Sequence, residues 1–332
     1  MSWRGGDGVP AMWEEDGPGF HAGTPQDVRV VVAEMTAEVK DGLDYDAVPW
    51  ERFHHAFGPG SDLPGRLTRI RYGDVRAAGK ELEAVWDAVC HQGTPNAAGA
   101  LTVPFLIRIA LTHPTPPPRA LRLVGALARR PHLRDGTRTG LLRTCTPAGS
   151  LIFEPSGYVS TWSVQAARQA LTADADLLLP LLDHPAPVVR TAAVYALAAA
   201  ASPARGRITA ALHARLDAED DPVARASLVL AIGELAWEER DAATTACTLA
   251  WWQDLTRPAE VRMAAALAWL CLVDDPVPAH LDAFLDAETT EQLATLLTPV
   301  PWFQDLAEKE GLRTALTQMR NPDDYAWIAD LY

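Results

Sequence analysis

Three segments in the second half of the chain repeat one pattern, and that repetition limits the fold more than any single motif does. They read HPAPVVRTAAVYALA from His184, DPVARASLVLAIGELA from Asp221 and RPAEVRMAAALAWL from Arg257. Each has a proline-containing turn, an arginine a few residues later and then an alanine-rich amphipathic run. Aligned on Arg190, Arg225 and Arg262, the segments recur after 35 and 37 residues, near the length of one helical hairpin. Asp or His caps the turn, Pro at the first helical position costs no intrahelical hydrogen bond, and small alanines let neighbouring helices approach closely. One hairpin alone cannot bury its apolar stripe, so such units stack.

Weaker copies lie upstream, in GDVRAAGKELEAVWDAV from Gly73 and HPTPPPRALRLVGALA from His113. Preceding partner helices are legible in TADADLLLPLLD from Thr172 and ITAALHARLDAE from Ile208, where apolar residues recur at three and four. Alternation of period two over five or more residues is nearly absent, so no strand is expected. The pattern predicts an all-α chain, a right-handed α-solenoid of stacked antiparallel helical hairpins with an inserted loop and a C-terminal capping helix. Residues 1–23, rich in Gly and acids, are expected to be disordered or loosely docked, with Trp3, Trp13 and Phe20 as pins. The array is expected over 24–275, opening at Thr24-Pro25-Gln26-Asp27 with Thr24 as N-cap. Turn-formers at 131–161 mark an insertion, and a loop of that length tends to be functional. Residues 276–332 are expected to cap the array, ending in NPDDYAWIADLY with Trp327 and Tyr332 over the last hairpin.

Charge and cysteine usage exclude several classes. The longest apolar runs, Ala192 to Ala201 and Ala264 to Val273, fall well short of the roughly 20 residues a bilayer span needs. The N-terminus shows no basic start followed by an apolar stretch, so it does not read as a secretory signal, and a cytoplasmic location is expected. The four cysteines, Cys90, Cys145, Cys247 and Cys271, form no C-x-x-C pair and read as reduced thiols. A net charge of -14 disfavours nucleic acid and anionic membrane as partners. That charge is segregated, however: residues 108–143 carry eight arginines against Asp135 alone.

Two stretches carry a family resemblance: WERFHHAFGPGSDLP from Trp50 to Pro64 and VCHQGTPNAAGALTVPFL from Val89 to Leu106. Together with the hairpin grammar they resemble HEAT-repeat proteins, including the shorter repeats of phycobilin lyases. They are most similar to a group of uncharacterised bacterial HEAT-repeat proteins with an aromatic-His-Ala-aromatic-Gly segment and a His-Gln-Gly-Thr turn. The resemblance runs from about Asp44 to Leu272 and implies the fold and a scaffold role. Where that group tends to have a tyrosine and an acid after the turn, this chain has Pro95 and Asn96, so no role for those side chains carries over.

The densest set of general bases or ligands is His54, His55, Cys90 and His91, brought close if the first hairpins stack. Separators such as H-E-x-x-H are missing, so no metal site and no cofactor are expected. A structural reading is a helix-terminal His on exposed carbonyls, a buried Cys, and Gly93 ending a helix before Thr94-Pro95 starts the next. Glu234 reads as a packing carboxylate against a neighbouring helix terminus. Arg190, Arg225 and Arg262 read as a ladder, each bridging to an Asp or carbonyl of the adjacent repeat. In the cationic stretch, Arg119, Arg122 and Arg129 are spaced to share an outward face, with Arg130 beside them, either as a solvated surface or as a docking site for an acidic protein, a phosphorylated ligand or nucleic acid. Trp86 and Trp269 fall in amphipathic runs and read as core. The neighbours Trp251 and Trp252 point about 100° apart and cannot share one buried stripe, which makes one of them a candidate interface anchor.

No phosphate loop, nucleophile elbow or dinucleotide fingerprint is present. The sequence therefore favours a non-catalytic scaffold whose concave face holds a protein or peptide, with Arg119, Arg122, Arg129, Arg130, Trp251 and Trp252 as binding candidates. The alternative is an enzyme or lyase-like protein with a small-molecule pocket between the N-terminal hairpins and the 131–161 insertion, lined by His54, His55, His91 or Glu154. Nucleic-acid binding through the Arg-rich 108–143 segment ranks third.

Overall fold

The computed structural model describes residues 23–113, 118–130, 141–142, 153–154, 156–273, 276–304 and 311–320, which are mostly helical. The expected N-terminal extension up to residue 22, most of the insertion, and the terminal NPDDYAWIADLY segment with Trp327 and Tyr332 lie outside them.

In chain order the helices of the first half are α1 (Val28–Glu34), α2 (Ala37–Gly42), α3 (Leu63–Tyr72), α4 (Val75–Val89), α5 (Ala97–Thr112) and α6 (Pro118–Leu127). The second half holds α7 (Ser160–Ala173), α8 (Ala175–Leu178), α9 (Pro187–Ala198), α10 (Arg205–Ala218), α11 (Pro222–Glu239), α12 (Ala242–Gln253) and α13 (Ala259–Leu272). Four further helices follow, α14 (Ala279–Glu288), α15 (Glu291–Leu297), α16 (Pro301–Gln304) and α17 (Gly311–Arg320). Caps set several starts: Asp74, Asn96 and Asp221 accept from Ala77, Gly99 and Ala224 N–H at 2.8, 3.0 and 2.9 Å. Pro187 and Pro222 occupy first helical positions, as the repeats predict.

The core runs through helices that are buried on every side and mostly apolar. In α9 residues 189–198 are all buried, in α11 residues 226–236, in α13 residues 260–271, and in α5 residues 97–110. Such a helix is stable in water only when surrounded. Here α6 packs on α9, α9 on α11 and α11 on α13, while α10 covers α11 and α12 covers α13. Backbone approach is close enough that a Cβ on Gly233 of α11 would lie 2.8 Å from Ala268 Cβ of α13. At the other end α5 packs against α6 and α7, and α1 against α7.

The arginine ladder forms, with glutamates as the acids. Arg190 forks onto Glu219 at 2.7 and 2.6 Å, Arg225 onto Glu260 at 2.9 and 2.5 Å, and Arg262 reaches Glu288 at 2.9 Å. Arg190 and Arg225 also donate to carbonyls of their own turns, at His184, Pro185, Glu219 and Asp220. Each link therefore ties the turn before one helix to an acid of the next unit.

Local departures from the expected pattern have local causes. The first helix starts at Val28 with Asp27 as cap, accepting from Arg29 N–H at 3.0 Å, so Thr24 is not the N-cap. Two short antiparallel hairpins occur where no strand was expected: β1 (His54–His55) with β2 (Gly58–Pro59), and β3 (Cys90–His91) with β4 (Thr94–Pro95). Strands of two residues are too short to show alternation, and the second hairpin is set by its turn, in which Gln92 and Gly93 take φ of 51° and 80°. Gly93 therefore closes a hairpin rather than a helix, and the next helix begins at Ala97. The helix expected from Thr172 is broken: α8 is one turn, followed by a 3-10 turn over Leu179–Asp183 that contains Pro180.

Glu219, buried and also held by Arg215 and the Asp221 N–H, is the most connected rung. Glu219→Ala leaves Arg190 without its buried partner and is expected to lower unfolding free energy by about 3–5 kcal/mol. Asp176→Ala, which removes the exposed Arg207–Asp176 pair, should cost less than about 1 kcal/mol. Urea denaturation of both variants checks this.

Candidate functional site

The two hairpins lie against each other, because Ala56 N–H donates to Ala88 O at 2.9 Å and the Phe57 ring meets His91 edge-on with centroids 5.2 Å apart. Asn96 pins the second hairpin to α5: its amide donates to Ala88 O at 2.9 Å while its carbonyl caps the helix. A cavity of about 470 Å³ opens beside them, lined by His54, His55, His91, Thr94, Asn96 and Glu154 among others. The structure thus gathers all four weak catalytic candidates, which come from three separate stretches of chain, around one cavity.

Their roles differ. His55 is a wall residue, since its Nδ1 accepts from Phe57 N–H at 3.1 Å and its Nε2 contacts Asp62 at 2.9 Å, leaving no ring nitrogen for a ligand. Burial opposes ionisation of Asp62, yet hydrogen bonds from Arg66 and His55 hold its carboxyl below the usual range. His54 is exposed at the rim. His91 is half-buried, with Nδ1 at 3.0 Å from Asp87 Oδ1, a partner one helical turn back in sequence. Glu154 sits in a tight turn, where its N–H donates to Tyr158 O and its carbonyl accepts from Gly157 N–H, both at 2.8 Å. Its carboxyl is 4% exposed and accepts from Ser163 Oγ at 2.6 Å and Ser156 Oγ at 3.3 Å. Burial wins over these donors and pushes the carboxyl up from 4.5 to about 7.

A second concavity, about 1000 Å³, lies on the other side of the β3–β4 hairpin, between α4 and α6. Lys80, Trp86, Asp87, Arg119, Arg122 and Arg130 are among its lining residues, and Gln92 borders both spaces. The guanidinium groups of Arg119 and Arg122 stand 6.0 and 5.8 Å from the Trp86 ring centroid. Arg119 is exposed and only 3.8 Å from Glu83. The buried Nε of Arg122 has no hydrogen-bond partner among the described residues. Trp86, expected as plain core, is half-buried and forms the aromatic wall of this groove.

Arg129 does not share the outward face expected of it. It lies past the end of α6 and is buried, with Nη1 donating to Gly125 O at 2.7 Å and Nη2 to Tyr195 O at 2.6 Å. Its guanidinium stacks 3.7 Å from the Tyr195 centroid and lies 2.8 Å from the Glu234 carboxylate, which also accepts from Trp302 Nε1 at 2.6 Å. Glu234 therefore meets a neighbouring helix terminus, as its sequence context suggests. Arg130 is buried too. Arg134, Arg138 and Arg143 lie outside the described residues.

The tryptophan pair divides. Trp252 is buried and stacks on His280 at 5.3 Å, so it is core and not an interface anchor. Trp251 is half-buried between His213 and Arg257 and remains the candidate of the two. Lys80, Asp87 and Ser163 had escaped notice. Asp87 was findable from its i, i+4 spacing to His91 and Lys80 from its helical spacing to Trp86, whereas nothing local marks Ser163.

Among the described residues no group of three or more His, Cys, Asp or Glu side chains is placed to hold a metal ion. Within the same residues no helix is long and apolar enough to cross a membrane. Comparison with protein-family models, with curated proteins and with solved structures finds no match for this chain.

The raised Glu154 carboxyl makes a signed prediction. The folded chain holds this proton more tightly than the unfolded chain, so stability falls as pH rises from 4.5 to 7, by about 3 kcal/mol through this group. Glu154→Gln should remove that component, so the difference in urea midpoint between variant and parent grows in the variant's favour from pH 4.5 to 7.5.

Proposed function

We propose that the chain is a binding scaffold of HEAT-like helical hairpins, stacked as a right-handed solenoid, whose groove between α4 and α6 captures an acidic segment of a protein partner in the cytoplasm. The observation that carries this reading is Arg122, a half-buried cation whose Nε has no acceptor among the described residues and whose guanidinium faces an aromatic wall in a groove shared with Lys80 and Arg119. That nitrogen is closed off, but a carboxylate from outside that pairs with the rest of the guanidinium would neutralise a cation that no described residue pairs. Support for stacking comes from the successive packing of α6, α9, α11 and α13 and from the recurrence of Arg190, Arg225 and Arg262 along it.

Local charge decides the partner's sign. The groove presents Lys80, Arg119, Arg122 and Arg130 against Glu83 and Asp87, an excess of cations in a molecule of net charge -14, with Arg129 already paired to Glu234. An acidic peptide is steered to this patch and repelled by the remaining surface, which favours one register of docking. Trp86 supplies the apolar anchor that turns electrostatic encounter into a lasting contact. A nucleic acid meets the same repulsion over a larger footprint, so a short acidic segment fits better.

A fluorescein-labelled decapeptide rich in Asp and Glu, followed by anisotropy, tests the reading. Binding should weaken with added salt and fall by tenfold or more, about 1.4 kcal/mol, in Arg122→Glu. Arg207→Glu, on a distant exposed pair, should leave it unchanged. Equal binding by the parent and Arg122→Glu would refute the proposal, and preference for a single-stranded oligonucleotide of equal charge would return the groove to nucleic acid.

A further inference from the structure

The hairpin cavity is separate from the acidic-segment groove and does not serve it. Among the described residues its lining holds no Lys or Arg, which suits an uncharged ligand. Its volume of about 470 Å³ is within the range of small-molecule sites and too small for a folded partner. Phe57, which is 64% exposed, rests edge-on against both His55 and His91 and so backs two of the lining rings with an apolar surface.

Two groups that line this cavity have the chemistry of proton transfer. Asp87 holds Nδ1 of His91, which orients the ring and leaves Nε2 as the free nitrogen, with no partner among the described residues. Glu154 is fixed by Ser163 and Ser156, each of which can turn its hydroxyl to donate or accept as the carboxyl loses or gains its proton. Among the described residues the other polar groups on the lining are His54, His55, Gln92, Thr94, Asn96 and Ser156, none of them a lysine or arginine.

We propose that this cavity is a general acid–base site that hydrolyses a small uncharged carboxylic ester, with His91 as base, Glu154 as acid and Asp87 as a positioning residue. His91 Nε2 takes a proton from water as the water oxygen bonds to the ester carbonyl carbon. The bond from that carbon to the alkoxy oxygen then breaks, and the Glu154 proton goes to the departing oxygen. Acid and alcohol leave, and the proton on His91 returns to the Glu154 carboxylate through solvent. Water is the sole co-reactant. Burial, which keeps Glu154 protonated up to about pH 7, makes the carboxyl available as a donor near neutrality.

Two acetate esters separate the roles, because p-nitrophenolate departs without a proton and phenolate is helped by one. With the full chain, His91→Asn should lower the rate on both phenyl acetate and p-nitrophenyl acetate by roughly 100-fold. Glu154→Gln, which keeps the serine hydrogen bonds, should slow phenyl acetate at least tenfold more than p-nitrophenyl acetate and abolish the decline in rate above about pH 7. Asp87→Asn should slow both esters and change the tautomer balance of the His91 ring read from its 15N chemical shifts. His213→Asn, far from the cavity, should match the parent and so measures adventitious imidazole reactivity. Circular dichroism confirms that each variant is folded. Parental rates in His91→Asn, or a Glu154→Gln effect equal for the two esters, would overturn the proposal.

Discussion

Helices that are mostly apolar and buried on every side cannot stand alone, and this constraint organises the molecule. Residues 226–236 of α11 are buried without a break, and the same holds for long stretches of α5, α9 and α13. Each of these helices needs neighbours on both sides and a covering partner, which α10 and α12 supply for α11 and α13. Alanine at the contacts shortens the approach between helices, and the glutamates of the arginine ladder take their places at the turns once that approach is made. Apolar burial drives the assembly; the buried ion pairs fix which turn meets which unit, since a misplaced guanidinium would lose its carboxylate at a cost of several kcal/mol.

The candidate sites arise where this regularity is interrupted. Between α4 and α5 the chain makes the tight β3–β4 hairpin instead of passing directly from helix to helix, and that hairpin is the wall shared by the groove and the cavity. Asp87 belongs to the groove lining, yet its carboxylate holds the His91 ring on the cavity side. Gln92, in the turn of that hairpin, lines both spaces. The loop carrying Glu154 closes the far wall, tied to α7 through Ser163 and, by Tyr158, to Gln26 and Val28 at the start of α1.

Much of the helical layout was legible because its signals are short-range. Pro, the following Arg and an apolar period of 3.6 lie within one or two turns of each other, so α9, α11 and α13 could be placed from the sequence. The ladder's cations were legible for the same reason, but not their partners, which are glutamates 26 to 35 residues further on. Arg129 shows the limit: its spacing to Arg122 suggests a common outer face, yet it falls beyond the helix end, where the phase of a helical wheel no longer applies. His54, His55 and His91 were visible as a cluster in sequence, but that His54 is exposed, that both ring nitrogens of His55 are engaged and that His91 is held through Nδ1 depends on segments brought together by the fold.

By itself the sequence determined the helical class, the turn arginines with their spacing and the concentration of cations in 108–143, because periodicity and local capping chemistry act between residues close in the chain. Only the tertiary structure decided that Trp86 walls a groove, that Trp252 is core, that Arg129 is spent on Glu234, and that Glu154 faces the histidines across a cavity. Those outcomes depend on burial and on partners contributed by distant segments, and desolvation is a property of the packed molecule with no counterpart in the chain taken residue by residue.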